Sequence, residues 1–355
     1  MSASIYLSIV VPIRNEEGPI RQTLEGLVQQ DYPKDRYEVI VVDGQSSDGT
    51  RGVVEELIRE YPDVSIRLLD NPGRLSSRAR NIGIRAARGK LIAAIDGHVY
   101  IPNDRLLAAM ERLKEGHGAL CLARPAPLLV PKLARGKAFW IAVARKCWLA
   151  HSRNSYIYSD YKGFIEPVSS GFAYDRGVFE RVGYFDDSFD AAEDVEFHHR
   201  LKREGIRAYT SPELTIYSYP RESLSGLFRQ MVRYGIGRAR CLRKHRDAYT
   251  KEQLIPPAIF LFFLSLPLAI LAILWAPWLA VAYAAAFVFY WFTLFTSSIV
   301  AAARQRRIIP SLFVAAAIWT IHMGLGYGFV KTMLSPRNST DVSKAGMRIA
   351  ESRKA

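Results

Sequence analysis

The chain has 355 residues and a mass of 40.0 kDa, is 49% hydrophobic and 23% charged, and so is neither disordered nor a disulfide-stapled mini-protein. Its three cysteines, Cys121, Cys147 and Cys241, lie too far apart for a zinc or redox spacing and suit a reducing compartment. A formal net charge of +14 favours anionic partners.

In chain order, Ser8–Pro12 and Val39–Asp43 are continuous apolar, β-branched runs, the pattern of strands buried on both faces. Ser65–Leu69 and Leu91–Ile95 read as two more strands. The intervening Pro19–Gln30, Thr50–Glu60, Arg78–Ala87 and Asp104–Lys114 carry apolar residues at helical spacing. This alternation predicts an α/β domain with a mostly parallel sheet flanked by helices. Ligands of such sheets bind beyond the carboxyl ends of the strands.

Two stretches hold most of the excess charge. Pro131–Arg153 has six basic residues and no acidic one, interleaved with Phe139, Trp140 and Trp148. Arg221–Glu252 has nine basic and three acidic residues. Basic, aromatic-bearing helices beside a membrane span are expected in the headgroup layer, against anionic lipid rather than nucleic acid.

From Gln253 to Ala303 there are 51 consecutive residues without Asp, Glu, Lys or Arg, and Ile308–Val330 is a second such run of 23. About 20 apolar residues cross a bilayer, so the first run predicts two spans, with Pro277 in the turn between them, and the second run predicts one. The N-terminus shows no signal-peptide pattern, which places the first 250 residues in the cytosol. The cluster Arg304-Gln305-Arg306-Arg307 agrees with that orientation. Three full spans would put the tail outside, yet Arg337–Lys354 carries five basic and two acidic residues. Either the tail crosses despite its charge or the third segment is not a simple span. The expected division is a cytosolic domain (1–220), basic interfacial helices (221–252), a membrane region (253–334) and a basic tail (335–355).

The residues just after the strands are polar. They are Pro12-Ile13-Arg14-Asn15-Glu16-Glu17, Asp43-Gly44-Gln45-Ser46-Ser47-Asp48-Gly49-Thr50 and Asp96-Gly97-His98. No Gly-x-Gly-x-x-Gly or Walker lysine follows a strand, which weakens dinucleotide and P-loop readings.

With Ala79-Arg80-Asn81-Ile82-Gly83, Ser170-Gly171-Phe172, Ala192-Glu193-Asp194 and Gln230-Met231-Val232-Arg233-Tyr234, these motifs form an ordered set over roughly residues 5 to 240. The set resembles the family 2 glycosyltransferases of GT-A fold, and within them the membrane-attached enzymes of bacterial exopolysaccharide (succinoglycan-type) assembly. The resemblance implies a nucleotide-sugar donor, of the UDP type, and an inverting transfer. It implies that Asp43 and Glu16, with Pro12 and Arg14, hold the base and ribose, and that Arg80 and Asn81 approach the phosphates. Asp96 would bind a divalent cation, Mn2+ or Mg2+. His98 stands where most relatives have a second Asp, and an imidazole there favours Mn2+. Asp194 would be the general base, with Glu193 beside it. His198 and His199 read as structural. Gln230, Arg233 and Tyr234 resemble a Gln-x-x-Arg-Trp motif near the acceptor and diphosphate, with Tyr in place of Trp. Three spans are few for a polysaccharide channel, so a single addition to a lipid-linked polyprenyl saccharide in the cell (inner) membrane is expected. Transfer to polyprenyl phosphate itself is the alternative, and a non-catalytic sugar-nucleotide-binding protein is the alternative from another class.

Overall fold

The computed structural model describes residues 4–128, 136–150, 156–167 and 171–336. The tail from Arg337, Ser170 and parts of the 131–153 stretch lie outside the described residues.

The first half alternates strand and helix as β1 (Leu7–Ile13), α1 (Glu17–Val28), β2 (Tyr37–Asp43), α2 (Thr50–Glu60), β3 (Ser65–Asp70), α3 (Ser76–Ala86) and β4 (Leu91–Ala94). It continues through β5 (Val99–Tyr100), α4 (Leu106–His117), β6 (Cys121–Ala123), α5 (Lys137–Lys146), β7 (Gly163–Ile165) and β8 (Gly171–Asp175). Then come α6 (Arg176–Val182), α7 (Glu193–Arg203), β9 (Ala208–Thr210), β10 (Tyr217–Ser218) and α8 (Leu224–Lys244). The chain closes with α9 (Ile255–Leu264), α10 (Leu266–Leu271), α11 (Pro277–Ala303) and α12 (Ser311–Leu334).

Eight strands form one sheet in the order β3-β2-β1-β4-β8-β6-β9-β7. The four strands read from the sequence run parallel, and β8 enters antiparallel to both β4 and β6. Every residue of β1 and β2 is buried, as their unbroken apolar runs require. Ile13 pairs with Asp43 across that ladder, so the two strands end at the same height.

One charge sits inside this sheet. Glu38 of β2 is fully buried, accepts from the Ser8 hydroxyl (2.7 Å) and the Arg88 amide (2.7 Å), and pairs with Arg67 (2.8 Å). Burial pushes its pKa up, but the hydrogen bonds from Ser8 and Arg88, together with Arg67, outweigh that and hold it below the usual carboxylate range. Glu38→Ala is therefore expected to cost on the order of 2 kcal/mol, the scale of hydrogen bonds to a charged group. The Glu38 contribution is present above the unfolded carboxyl pKa of about 4.3 and is lost as pH falls through the lower folded value. Thermal unfolding of wild type and variant at neutral and acid pH checks both statements; equal unfolding temperatures at neutral pH would refute the first.

On the membrane side, α11 and α12 are long and apolar enough to cross a bilayer. The segment ahead of them is bent by 49° between Leu264 and Leu266, and counts as a third span only if the bent pair is taken as one. Pro277 opens α11 at its first turn, where a missing N–H costs nothing, and so marks the predicted break. The two long helices differ in surroundings. Most of α11 is exposed, whereas α12 is largely enclosed. Residues of α5, α8, α11 and α12 share one apolar cluster that includes Trp140, Leu227, Leu294 and Ile318. The third predicted segment, α12, is thus long enough to cross and meets other helices over most of its surface. Trp140, expected in the headgroup layer, is buried inside this cluster.

The contact between α8 and α12 is made backbone to backbone. A Cβ at Gly235 would fall 2.2 Å from the Leu325 carbonyl oxygen, and one at Gly328 would fall 2.2 Å from that of Val232. Small residues allow helices this close. Gly328→Leu is expected to force them apart at a cost of about 1–3 kcal/mol, the range for overpacking. A lowered unfolding temperature in detergent is the readout, and an unchanged one would show that the helices do not meet there.

Candidate active site

The three polar clusters converge as the parallel sheet predicts. The loop after β1 is bound to the loop after β2: the Asn15 amide donates to Ser46 Oγ (2.9 Å), the Ser47 amide donates to Asn15 Oδ1 (2.8 Å), and the Glu16 amide donates to Thr50 Oγ1 (2.7 Å). The loop after β4 starts with the Ile95 amide on the Val10 carbonyl (2.9 Å), and Asp96 and His98 then emerge beside Glu16. Over these strand ends opens a cavity of about 700 Å3. Arg14, Glu16, Arg80, Asp96, His98, Asp194, Gln230, Arg233 and Tyr234 all line it.

Arg80 ties its two acidic walls together. One guanidinium nitrogen donates to Asp96 Oδ1 (2.7 Å) and another to Glu193, which also accepts from the Ser76 hydroxyl (2.9 Å). Burial opposes ionisation of Asp96, but Arg80, His98 and Arg124 outweigh it and hold its pKa at about 2. On the facing wall, burial pushes Glu193 and Asp194 upward, and Arg80 offsets only part of that. The two acids stand at the start of α7, entered through Ala192 in a left-handed conformation (φ 62°). His98 Nδ1 meets Glu16 Oε1 at 2.8 Å, which fixes the ring and leaves Nε2 without a hydrogen bond among the described residues. Burial lowers the imidazole pKa, yet the Glu16 hydrogen bond and the Asp96 charge raise it above its ordinary value.

Helix α8 brings in Gln230, which donates to the Tyr234 hydroxyl (3.2 Å), and Arg233, which pairs with Asp190 (3.2 Å). Four of the expected residues are not among those that line the cavity; one is Glu193, which is turned to Arg80 and Ser76. Pro12 is enclosed within β1, and Asp43 spends its carboxylate on the Ser46 hydroxyl (2.6 Å) and amide (3.1 Å). Asn81 faces away: its amide holds the Phe185 carbonyl (2.8 Å) and Asp187 (2.6 Å), while its oxygen accepts from the Phe185 amide (3.0 Å). Glu16 lines the cavity with one oxygen on His98 (2.8 Å) and its Oε2 without a hydrogen-bond partner among the described residues.

The description "Glycosyl transferase family 2" matches residues 8–183, and "Glycosyl transferase family group 2" matches residues 139–331. The succinoglycan biosynthesis protein ExoA of Rhizobium meliloti is 30% identical over 255 residues, 71% of this chain and 74% of its own length. The chain is a family 2 glycosyltransferase. A dolichyl N-acetyl-alpha-D-glucosaminyl phosphate 3-beta-D-2,3-diacetamido-2,3-dideoxy-beta-D-glucuronosyltransferase of Methanococcus voltae is 29% identical over 262 residues, covering 73% of this chain and 80% of its own length. A mannosyltransferase from Pyrobaculum calidifontis, solved with GDP-Man and Mn2+, superposes with a TM-score of 0.60 at 21% identity, covering 94% of this chain and 88% of that one. That likeness establishes the GT-A fold.

The glycosyltransferase carries further cavity residues that the sequence reading passed over. Arg124 follows β6 directly, and Arg145 and Tyr158 come from the region around α5. Arg124 obeys the same strand-end rule as Asp96, but a three-residue strand is too short to read from periodicity. Arg145 belongs to the basic stretch assigned to headgroups; here it points into the cavity instead. His198 is buried and bonded to the Tyr174 hydroxyl (2.7 Å), and burial pushes its pKa down to about 3. It is a neutral core residue.

The donor set at Asp96 and His98 fits a divalent cation. Asp96 Oδ1 is taken by Arg80 while its second oxygen has no hydrogen bond among the described residues, and the His98 ring is oriented by a carboxylate behind it. Two protein ligands leave positions for phosphate oxygens.

Proposed function

We propose that this glycosyltransferase moves a sugar from a UDP-type donor to a lipid-linked saccharide at the membrane surface, with inversion at the anomeric carbon. The observation that carries this reading is a single cavity with Asp96 and His98 on one wall and Asp194 on the other, roofed by a helix packed on the membrane segment. Arg14 and Glu16 line the donor side, and Asp96 and His98 would hold the cation. A divalent ion bound there supplies positive charge against the diphosphate leaving group. Asp194 takes the proton of the acceptor hydroxyl as its oxygen bonds to the anomeric carbon, and the bond to the diphosphate breaks on the opposite face. Glu193 holds Arg80, which in turn positions Asp96. Gln230, Arg233 and Tyr234, with Arg145 and Tyr158, lie on the side nearest the membrane helices and would receive the acceptor. Asn81 positions the 185–187 loop. Asp43 would act by shaping the Ser46 turn.

The catalytic domain (1–220) would lie in the cytosol against the inner membrane, and the basic helices of 221–252 would face anionic lipid. The Methanococcus voltae relative, named for transfer to a dolichyl-linked sugar phosphate, supports a lipid-linked acceptor. The test incubates the purified full-length enzyme with a panel of nucleotide sugars, Mn2+ or Mg2+, and either polyprenyl phosphate or polyprenyl-diphosphate-linked saccharides. A new glycoside on the lipid-linked saccharide is expected. A sugar–phosphate–lipid product would overturn the acceptor assignment, and no transfer from any UDP-sugar would overturn the donor.

A further inference from the structure

Behind the cavity, α7 runs from Asp194 to a second cluster of ligating side chains. His199 lies just over one turn beyond Asp194; His245 ends α8, and Asp247 sits in the turn that follows. One nitrogen or oxygen from each of the three lies within 4.8 Å of the others. We propose that His199, His245 and Asp247 form a zinc-class site that fastens the end of α8 to α7, separate from the donor cavity.

Three observations support it. His199 Nε2 is buried and lies 3.2 Å from Asp247 Oδ2. Two ligands on one edge of a tetrahedron, each bonded at about 2.0–2.1 Å, stand about 3.3 Å apart. The pair therefore already stands at the spacing that shared coordination requires. The His199 and His245 rings are tilted by 44° with centroids 5.0 Å apart, so they meet without stacking. Finally, His245 Nε2 is held by Glu196 Oε1 at 2.8 Å, and that carboxylate is fully buried and pinned by Arg200 (2.9 Å) and Lys244 (2.7 Å). This leaves Nδ1 of His245 for an ion and supplies the carboxylate that metal-bound imidazoles usually have behind them. The competing charge is Arg203, 3.8 Å from Asp247, and its exposed side chain can turn to water.

Two neutral imidazoles and one carboxylate suit Zn2+ or Co2+ rather than Mg2+, with water in the fourth position. Such a site would join the helix carrying Asp194 to the helix carrying Gln230, Arg233 and Tyr234.

The test is a Co2+ titration of tag-free full-length protein in detergent, read by the visible absorption of tetrahedral cobalt, with Zn2+ competition. One equivalent is expected in wild type and equally in Asp96→Ala/His98→Ala, which lacks the cavity ligands. Asp247→Asn, at an exposed position, and His199→Gln are expected to weaken binding at least about 10-fold and to lose the Zn2+-induced rise in unfolding temperature. No tetrahedral band in wild type would overturn the proposal even if a variant fails to fold. So would a band that disappears in Asp96→Ala/His98→Ala, or one unchanged in both Asp247→Asn and His199→Gln.

Discussion

Replacing Asp194 with Asn is expected to lower turnover by a factor on the order of 10²–10⁴, the usual contribution of a general base, while donor binding stays close to wild type. The substitution keeps shape and removes only the ability to accept a proton. Asp194 lines the cavity, and one of its oxygens accepts from the Val195 amide at 2.9 Å, which fixes the carboxylate at the start of α7. Its neighbour Glu193 is occupied with Arg80 and Ser76 and cannot take its place. Burial pushes the Asp194 pKa upward against the pull of Arg80, with Asp96 adding to the rise. The base must be ionised to work, so activity is present above that pKa and lost as pH falls through it. The acid limb should therefore lie above the ordinary aspartate value of about 3.9 and vanish in the residual rate of Asp194→Asn. Turnover near wild type in a detergent assay would remove Asp194 from the role.

A second large effect is expected at the cation ligands. Asp96→Ala should weaken donor binding in Mn2+ by a factor on the order of 10–100 or more, and a chelator should do the same to wild type. The physical reason is charge: Arg80 is already shared between Asp96 and Glu193, and a cation between Asp96 and the phosphates turns that carboxylate into an anchor for the donor. His98 makes the effect pH-dependent. Its pKa is raised by Glu16 and Asp96, so the ring gains a proton, and can no longer ligate, as pH falls through a value above about 6.5. His98→Asp should extend metal binding to lower pH and move the preference from Mn2+ toward Mg2+. Titrations of both ions into the three proteins measure this. Donor binding indifferent to chelator and unchanged in Asp96→Ala would exclude a cation at this position.

The parts of this molecule legible in its sequence are those where one-dimensional pattern and three-dimensional environment coincide. Strands buried on both faces are unbroken apolar runs, and the polar residues that end them have one place to go, the sheet edge; Asp96 and His98 were found that way. Helix neighbours were harder. Successive helical residues are turned by about 100°, so Arg80 and Asn81 cannot both face one cavity, and the structure gives it to Arg80. The same turn separates Glu193, which pairs with Arg80, from Asp194, which opens to the cavity. Charge alone also misled: Arg145 and Trp140 share a basic, aromatic helix that reads as lipid-facing, yet neighbouring helices take the tryptophan into an apolar cluster and the cavity takes the arginine. That distinction depends on α8 and α12, whose packing no local periodicity records.

The glycine seam between α8 and α12 has a mechanical consequence. Side chains normally cushion a helix pair, but where carbonyls meet Gly235 and Gly328 directly there is nothing compressible between them. The 21 residues of α8 make a rod of roughly 30 Å, with Gln230, Arg233 and Tyr234 along it. Membrane helices answer a change in bilayer thickness by tilting. A tilt of about 5° passed across the seam would swing the far end of a rod this long by roughly 3 Å, enough to make or break a hydrogen bond. A bilayer that tilted α12 would in this way also move the Gln230, Arg233 and Tyr234 side of the cavity.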